Sequence, residues 1–103
     1  MPVEGTNLVE LSGKLVESQG LKFTPAGIPI VRFRIEHSSV QREANGSRQV
    51  TCLLNAVAVA TDARLIAALH LGSELVIKGF LDRESLKGSR LELHASHIEF
   101  RNT

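Results

Sequence analysis

A turn that leads straight into a strictly alternating segment constrains the fold of this chain more than any other feature of its sequence. The turn lies at Thr24-Pro25-Ala26-Gly27, where proline fixes one backbone dihedral angle and glycine tolerates conformations that other residues resist. Beyond it, apolar and charged side chains alternate: Val31, Phe33 and Ile35 on one face, Arg32, Arg34 and Glu36 on the other. A period of two predicts a β-strand with one face in a core and the other presenting guanidinium groups to solvent.

The remaining sequence predicts further strands and one short helix. From alternation and turn residues, the expected strands cover 7–17, 21–23, 28–41, 48–59, 74–83 and 89–100, and the expected helix covers 62–70. Thr61 or Asp62 is expected to cap the helix, and Gly72 to end it. Asn45-Gly46 predicts a tight hairpin, because both residues tolerate a positive φ.

Two irregularities are expected within the strands. Gly13 interrupts the first strand, where glycine often marks a bend or a bulge. In the last strand the phase shared by Leu91, Leu93 and Ala95 slips by one residue before Ile98 and Phe100. This slip predicts a β-bulge near Ser96-His97.

Five long strands, with the helix between the third and the fourth, are the element order of an OB-fold, a five-stranded Greek-key barrel. A bent first strand suits the closure of such a barrel. An open antiparallel sheet with the helix packed across it is the alternative. We expect residues 7–103 to form a single all-β domain, preceded by a flexible segment over 1–6.

Composition restricts the cellular setting of the protein. Cys52 has no second cysteine to pair with, so we expect a small buried thiol and a reducing compartment. No apolar stretch approaches the length of a membrane span, and the N-terminus lacks a leader pattern. The sequence therefore predicts a cytoplasmic protein without membrane contact.

Catalytic signals are weak. The sequence contains no glycine-rich phosphate loop after a strand, no nucleophile elbow and no carboxylate pair that the pattern brings together. His94 and His97 lie three residues apart on a strand, which places their side chains on opposite faces unless the bulge intervenes. A zinc site would need further ligands besides these histidines, and Cys52 is the one additional candidate. We expect no enzyme, no metal and no cofactor.

The charge distribution favours a polyanionic ligand more than the net charge of +1 does. Residues 14–48 and 78–90 contain ten of the twelve Lys and Arg residues but five of the eleven acids. An OB-fold binds single strands across its second and third long strands and with the neighbouring loops. The basic candidates in these regions are Lys22, Arg32, Arg34, Arg48, Arg83, Lys87 and Arg90. For each residue separately, the alternative is a solvated surface charge.

Few aromatic residues support base stacking. The chain has no Trp and no Tyr. Of its four Phe we expect Phe33 and Phe100 in the core and Phe23 outside, whereas Phe80 either faces outwards or fills a subunit contact. Because stacking on aromatic rings supplies much of the affinity of many single-strand binders, we expect phosphate contacts to dominate here. Such binding is indifferent to sequence, modest in affinity and sensitive to salt.

Several segments resemble the primosomal replication protein N (PriB) family, bacterial relatives of the single-stranded DNA-binding proteins. They are Thr24–Pro29 as Ser/Thr-Pro-x-Gly-Ile-Pro, Glu36-His37-x-Ser39-Val40-Gln41, Arg48-Gln49 ahead of Cys52, and Gly79-Phe80. The resemblance covers nearly the whole chain. It implies a homodimer of OB-folds that binds single-stranded DNA in the replication-restart primosome. The partners it implies are the PriA helicase, DnaT and single-stranded DNA-binding protein.

The resemblance also implies a set of DNA contacts. The basic contacts of the family fall on Lys22, Arg48, Arg83, Lys87 and Arg90. Relatives that bind DNA tightly carry a tryptophan at the position of Thr51, which makes that position a further contact, here without the stacking ring. Arg32 and Arg34 are not basic in those relatives.

Two other functions compete with that of a restart accessory factor. One is that of a general single-stranded DNA-binding protein. The other is that of a protein-interaction module, an OB dimer that contacts a helicase mainly through protein surfaces and binds DNA weakly. An exposed edge of the first strand, with Val76 and Phe80 facing outwards, is compatible with the dimer.

Overall fold

The computed structural model describes residues 4–101, over which strands and one helix follow in the predicted order. The elements are β1 (Val9–Ser18), β2 (Lys22–Phe23), β3 (Pro29–Glu43), β4 (Gly46–Val59), α1 (Ala60–Ala67), β5 (Glu74–Arg83) and β6 (Leu91–Phe100). The flexible segment expected over 1–6 and the domain expected to end at 103 extend past this range, because residues 1–3, 102 and 103 lie outside the described residues.

The sheet closes on itself through β1. The strand order is β1-β5-β6-β4-β3-β2, and β1 also pairs with β3. Val9–Lys14 pair with β5, whereas Lys14–Ser18 pair with β3. β4 and β6 run parallel, joined at Ala56 and Leu93 and at Val57 and His94. Because β1 begins the row and also pairs with β3, the five long strands form a closed barrel. The OB-fold is therefore confirmed and the open sheet is wrong.

Buried apolar side chains from every long strand and from α1 fill the barrel. They are Leu15, Val31, Phe33, Ile35, Ala56, Ala58, Ala63, Ile66, Leu75, Ile77, Leu93 and Ile98. The alternation predicted for β3 and β5 therefore places the expected residues inside. Phe100, expected in the core, is 48% exposed, because β6 ends there and nothing extends the barrel wall around its ring.

Gly13 allows β1 and β3 to approach closely, but it is not the site of the bulge. A Cβ atom at Gly13 would lie 2.8 Å from the carbonyl oxygen of Glu36, which leaves no room for any side chain. The register shift of β1 lies two residues further on, between Leu15 and Glu17. The predicted bulge of β6 is present: Lys78 pairs with His97 and Gly79 with Ala95, which leaves Ser96 as the extra residue.

The hairpin of β3 and β4 continues past the barrel as a two-stranded arm. The pairing of β3 with β1 stops at Glu36, whereas its pairing with β4 continues to Glu43 and Gly46. Cys52 lies on this arm opposite His37 and is exposed, so the prediction of a buried thiol is wrong. No core lies beneath that part of the sheet to cover it.

The helix and the hairpin turn differ locally from expectation. α1 begins at Ala60 after Val59, whose side chain makes no capping hydrogen bond, and Thr61 and Asp62 lie inside its first turn. The helix ends at Ala67, before the predicted boundary at 70. The tight turn of the hairpin is formed one residue earlier than expected, by Ala44-Asn45, with φ 54° at Ala44.

Candidate nucleic-acid interface

Arginines project from the outer face of β3 towards β4 and the loop between β5 and β6. In the register of the hairpin, Arg32 lies opposite Val57 and Arg34 opposite Asn55. Residues opposite each other in an antiparallel pair share a face of the sheet. Together with β1, the start of β6 and the loop of residues 84–90, they enclose a groove of about 230 Å³.

Acidic and basic side chains line this groove in equal number. Arg32, Arg34 and Arg90 face it together with Glu17, Glu84 and Glu92. The groove is therefore formally neutral, although it collects arginines from β3 and from the loop. A phosphate that enters it must compete with the carboxylates already there.

Glu92 is the partner of Arg32. The Nε of Arg32 lies 3.4 Å from Oε2 of Glu92, whose side chain is 4% exposed, whereas that of Arg32 is 50% exposed. The Nε2 of His94 lies 3.9 Å from the other carboxylate oxygen. A carboxylate buried to this extent needs a cation beside it, so Arg32 neutralises Glu92.

Arg34 is held through an amide. The Nε–H of Arg34 donates to Oδ1 of Asn55 over 3.1 Å, and the Nδ2 of Asn55 donates to Oε2 of Glu84, also over 3.1 Å. These two bonds fix the orientation of the Asn55 amide, since its oxygen faces the donor and its nitrogen faces the carboxylate. They also join the loop of residues 84–90 to β4.

The other loop candidates lie near the same groove. Arg83 ends β5, and its Nη1 donates to the carbonyl of Leu86 over 3.3 Å. The carbonyl of Arg90 accepts the N–H of Glu84 over 2.8 Å, which closes the base of the loop. Lys87 lies exposed within it. Of these three residues Arg90 lines the groove, whereas Arg83 and Lys87 lie at the start of the loop and within it.

The remaining candidates lie further away. Lys22 is exposed on β2, opposite Ile30 near the start of β3. Thr51 lies on the arm opposite Ser38, on the face that carries Arg34. Arg48 lies opposite Gln41, which places it on the other face of the arm, and it pairs with Glu43 over 3.1 Å. Arg48 is thus not brought together with Arg32 and Arg34 as the sequence interpretation assumed.

Exposed aromatic rings occur away from the arm. Phe80 is 45% exposed on β5 and stacks on His94 with 5.0 Å between the ring centroids and 6° between the planes. Phe23 is exposed on β2, with the guanidinium of Arg64 lying 6.0 Å from its ring centroid. Both rings point outwards, as predicted.

Asn55, Glu84 and Glu92 are groove residues that the sequence did not single out. Glu92 alternates with Leu91 and Leu93, a pattern that predicts a solvated charge. Its burial follows from the parallel pairing of β4 with β6, for which the sequence carries no local signal.

Within residues 4–101, no three His, Cys, Asp or Glu side chains lie close enough to hold a metal ion. No helix in that range is long and apolar enough to cross a membrane.

Comparison with known proteins agrees with this geometry. A family described as "another single-strand binding protein family" matches residues 7–97. The replication restart protein PriB of Photobacterium profundum is 36% identical over 97 residues, which are 91% of this chain and 93% of that protein. The PriB of Yersinia pseudotuberculosis serotype O:1b is also 36% identical, over 98 residues covering 92% of this chain and 93% of that protein.

Solved structures show the same fold. PriB from Ralstonia solanacearum superimposes with a TM-score of 0.85 at 31% identity, covering 94% of this chain and all of that one. The wild-type single-stranded DNA binding protein from Thermus aquaticus gives a TM-score of 0.75 at 20% identity, covering 97% of this chain and 52% of that one.

A closed barrel of this topology, with arginines gathered on the outer face of β3, defines an OB-fold protein of the single-strand-binding class. Within that class, sequence identity above 30% with PriB proteins over nine tenths of the chain shows which family it belongs to. The chain belongs to the PriB family of replication restart proteins.

Proposed function

We propose that this protein binds single-stranded DNA without sequence preference and assists a helicase in replication restart. One observation carries the proposal. The groove between β3, β4 and the loop of residues 84–90 lies on the face by which OB-folds take single strands, and arginines from β3 and from this loop line it. The proposed function is binding and not catalysis, and we propose that the protein acts in the cytoplasm.

Phosphate contacts supply most of the affinity in this proposal. Arg32, Arg34 and Arg90 line the groove. Arg83 and Lys87 lie at the start of the adjoining loop and within it, and we propose that Lys22 on β2 and Thr51 on β4 extend the path. Arg48 contributes from the arm once it exchanges Glu43 for a phosphate. Since a guanidinium or ammonium group recognises the backbone and not the base, such a path does not discriminate sequences.

Dimerisation is part of the proposal. Along β1, Val9–Gly13 are paired with β5 on one edge, and pairing with β3 on the other edge begins at Lys14. Ser12 and Gly13 already lie against β3, because Nδ1 of His37 is 2.6 Å from the carbonyl oxygen of Ser12 and Gly13 lies beside Glu36. The second edge of Val9–Leu11 is therefore the part positioned to pair with another copy of the chain. Sedimentation equilibrium at micromolar concentration is expected to give twice 11.2 kDa. A species of 11.2 kDa alone would overturn the dimer.

The protein partners follow from the family. Relatives over nine tenths of this chain are named replication restart protein PriB. We propose that this chain acts with the PriA helicase, DnaT and single-stranded DNA-binding protein at a stalled fork. Its effect on the unwinding rate of a forked duplex by PriA measures this role directly.

A titration against salt tests the DNA-binding part. Four phosphate contacts, from Arg34, Arg83, Lys87 and Arg90, predict a slope of about −3 for the logarithm of affinity against the logarithm of salt, at roughly −0.7 per contact on a single strand. Fluorescence anisotropy with labelled oligothymidine and oligoadenine measures this slope and the sequence preference together. Affinity that stays constant as salt rises would refute the proposal.

A second candidate function is that of a protein-interaction module with weak DNA binding. It is favoured by the internal partners of the groove arginines and by Thr51 at a position without a ring. Arg34→Ala and Lys87→Ala separate the two candidates. Loss of both DNA affinity and helicase stimulation supports the DNA-binding function, whereas intact DNA affinity shows that the groove is not the DNA site.

A further inference from the structure

Two hydrogen bonds in series link Arg34 through Asn55 to Glu84, whose carboxylate is exposed at the edge of the groove. We propose that Glu84 competes with a DNA phosphate for Arg34, acting through Asn55, and thereby sets the affinity of the groove. The inference rests on the proposed function, since its ligand is the phosphate backbone of a single strand.

Arg32 contacts an acid directly, whereas Arg34 is linked to one only through Asn55. Glu92 is buried beneath Arg32, so it cannot leave without placing an uncompensated charge in the protein. Glu84 is exposed and lies at the start of a surface loop. Its hydrogen bond to Asn55 exchanges readily for bonds to water. Of the two arginines on the outer face of β3, Arg34 is therefore the one whose partner a phosphate can displace.

The amide of Asn55 transmits the competition. Its Oδ1 accepts the Nε–H of Arg34, and its Nδ2 is aligned by the Glu84 carboxylate. A phosphate that binds Arg34 brings negative charge next to Glu84, and two anions at this distance repel each other. Binding of a phosphate at Arg34 and retention of Glu84 at Asn55 therefore oppose each other.

Displacement of Glu84 also affects the loop. The further hydrogen bonds found at the loop join its own ends or neighbours: Glu84 to Arg90, Gly88 to Ser85 and Arg83 to Leu86. The bond from Asn55 to Glu84 ties the loop to β4. When a phosphate releases this bond, Lys87 and Arg90 become free to follow the strand, so the loop adapts to its ligand as DNA enters.

Glu84→Gln provides the test, because it removes the charge and keeps the amide contact to Asn55. Anisotropy titrations with oligothymidine are expected to show roughly fivefold tighter binding at about 0.1 M salt, because the bound phosphate no longer faces the Glu84 charge. The salt slope should stay near that of the unmodified protein, since Arg34 contacts a phosphate in both. Glu99→Gln is the matched control, since it changes the net charge equally but lies on β6 beside His97, away from the groove and from the proposed dimer edge of β1.

Arg34→Ala in the Glu84→Gln background shows whether the gain passes through Arg34. The inference requires that the gain disappears there and that the side-chain amide resonances of Asn55 shift when DNA saturates the unmodified protein. A Glu84→Gln variant that behaves like Glu99→Gln, in a protein that binds DNA, overturns the inference and leaves the proposed function intact. Absence of DNA binding by the unmodified protein and by Glu84→Gln alike overturns both.

Discussion

Arg32 is expected to contribute to stability through the carboxylate beneath it, and Arg32→Ala tests this. The variant leaves Glu92, whose side chain is 4% exposed, without its guanidinium partner. Removing one member of a fully buried ion pair costs about 3–5 kcal/mol, whereas exposed pairs are worth about 0–1 kcal/mol. Because the Arg32 side chain is half exposed and water reaches it, we place the cost between these limits, at about 2 kcal/mol.

Thermal unfolding followed by circular dichroism measures this cost. For a domain of this size, 1 kcal/mol corresponds to about 4 °C in Tm, so Arg32→Ala should unfold about 8 °C below the unmodified protein. A double-mutant cycle with Glu92→Gln isolates the pair, and we expect a coupling energy of at least about 1 kcal/mol. The same cycle on Lys78 and Glu10, an exposed pair at 3.6 Å, is the control and should give less than about 0.5 kcal/mol. Equal coupling in the two cycles would refute the stabilising role of Arg32.

Three further outcomes follow from packing and exposure. Ile77→Ala, at a fully buried position, should lower the free energy of unfolding by about 2–5 kcal/mol in a urea titration; a smaller loss would show that the barrel interior repacks. Gly13→Ala should cost about 1–3 kcal/mol, because its Cβ would contact the Glu36 carbonyl, while Gly46→Ala, with open space around it, should be neutral; equal effects would contradict the close approach of β1 and β3. Cys52 should react with an aromatic disulfide reagent in the folded protein nearly as fast as in urea, and a protected thiol would place the arm in a contact with another molecule.

Local periodicity accounts for the parts of the fold that were predicted closely. β5 begins and ends where alternation placed it, at Glu74 and Arg83, because each inward side chain of that strand meets the core. The bulge of β6 was predictable since a slip in hydrophobic phase requires an extra residue on one strand. The turn at Thr24 was predictable from proline and glycine: the N–H of Gly27 bonds to the carbonyl of Thr24, with φ 83° at Gly27.

The errors concern features that depend on what lies above or beside a strand. Cys52 alternates like a core residue, yet it lies on an arm that no third strand covers. Thr61 and Asp62 are suitable capping residues, but α1 begins before them, directly after β4, where the barrel fixes the path of the chain. Local sequence does not predict the exposure of Cys52 or the start of α1, because both depend on which distant segments of the chain lie beside them.

The sequence by itself determined the order of strands and helix, which is that of an OB-fold, because alternation and turn residues act over a few positions. The pairing of β1 with β3, which closes the barrel, is decided by the tertiary structure. The sequence also placed Arg32 and Arg34 on one outward face. Tertiary structure alone decided what those arginines meet. The parallel pairing of β4 with β6 buries Glu92 beneath Arg32, and the loop after β5 brings Glu84 to Asn55. Asn55 and Glu84 lie 29 residues apart in the chain, and Arg32 and Glu92 lie further apart still, so these groups interact only once the barrel has closed.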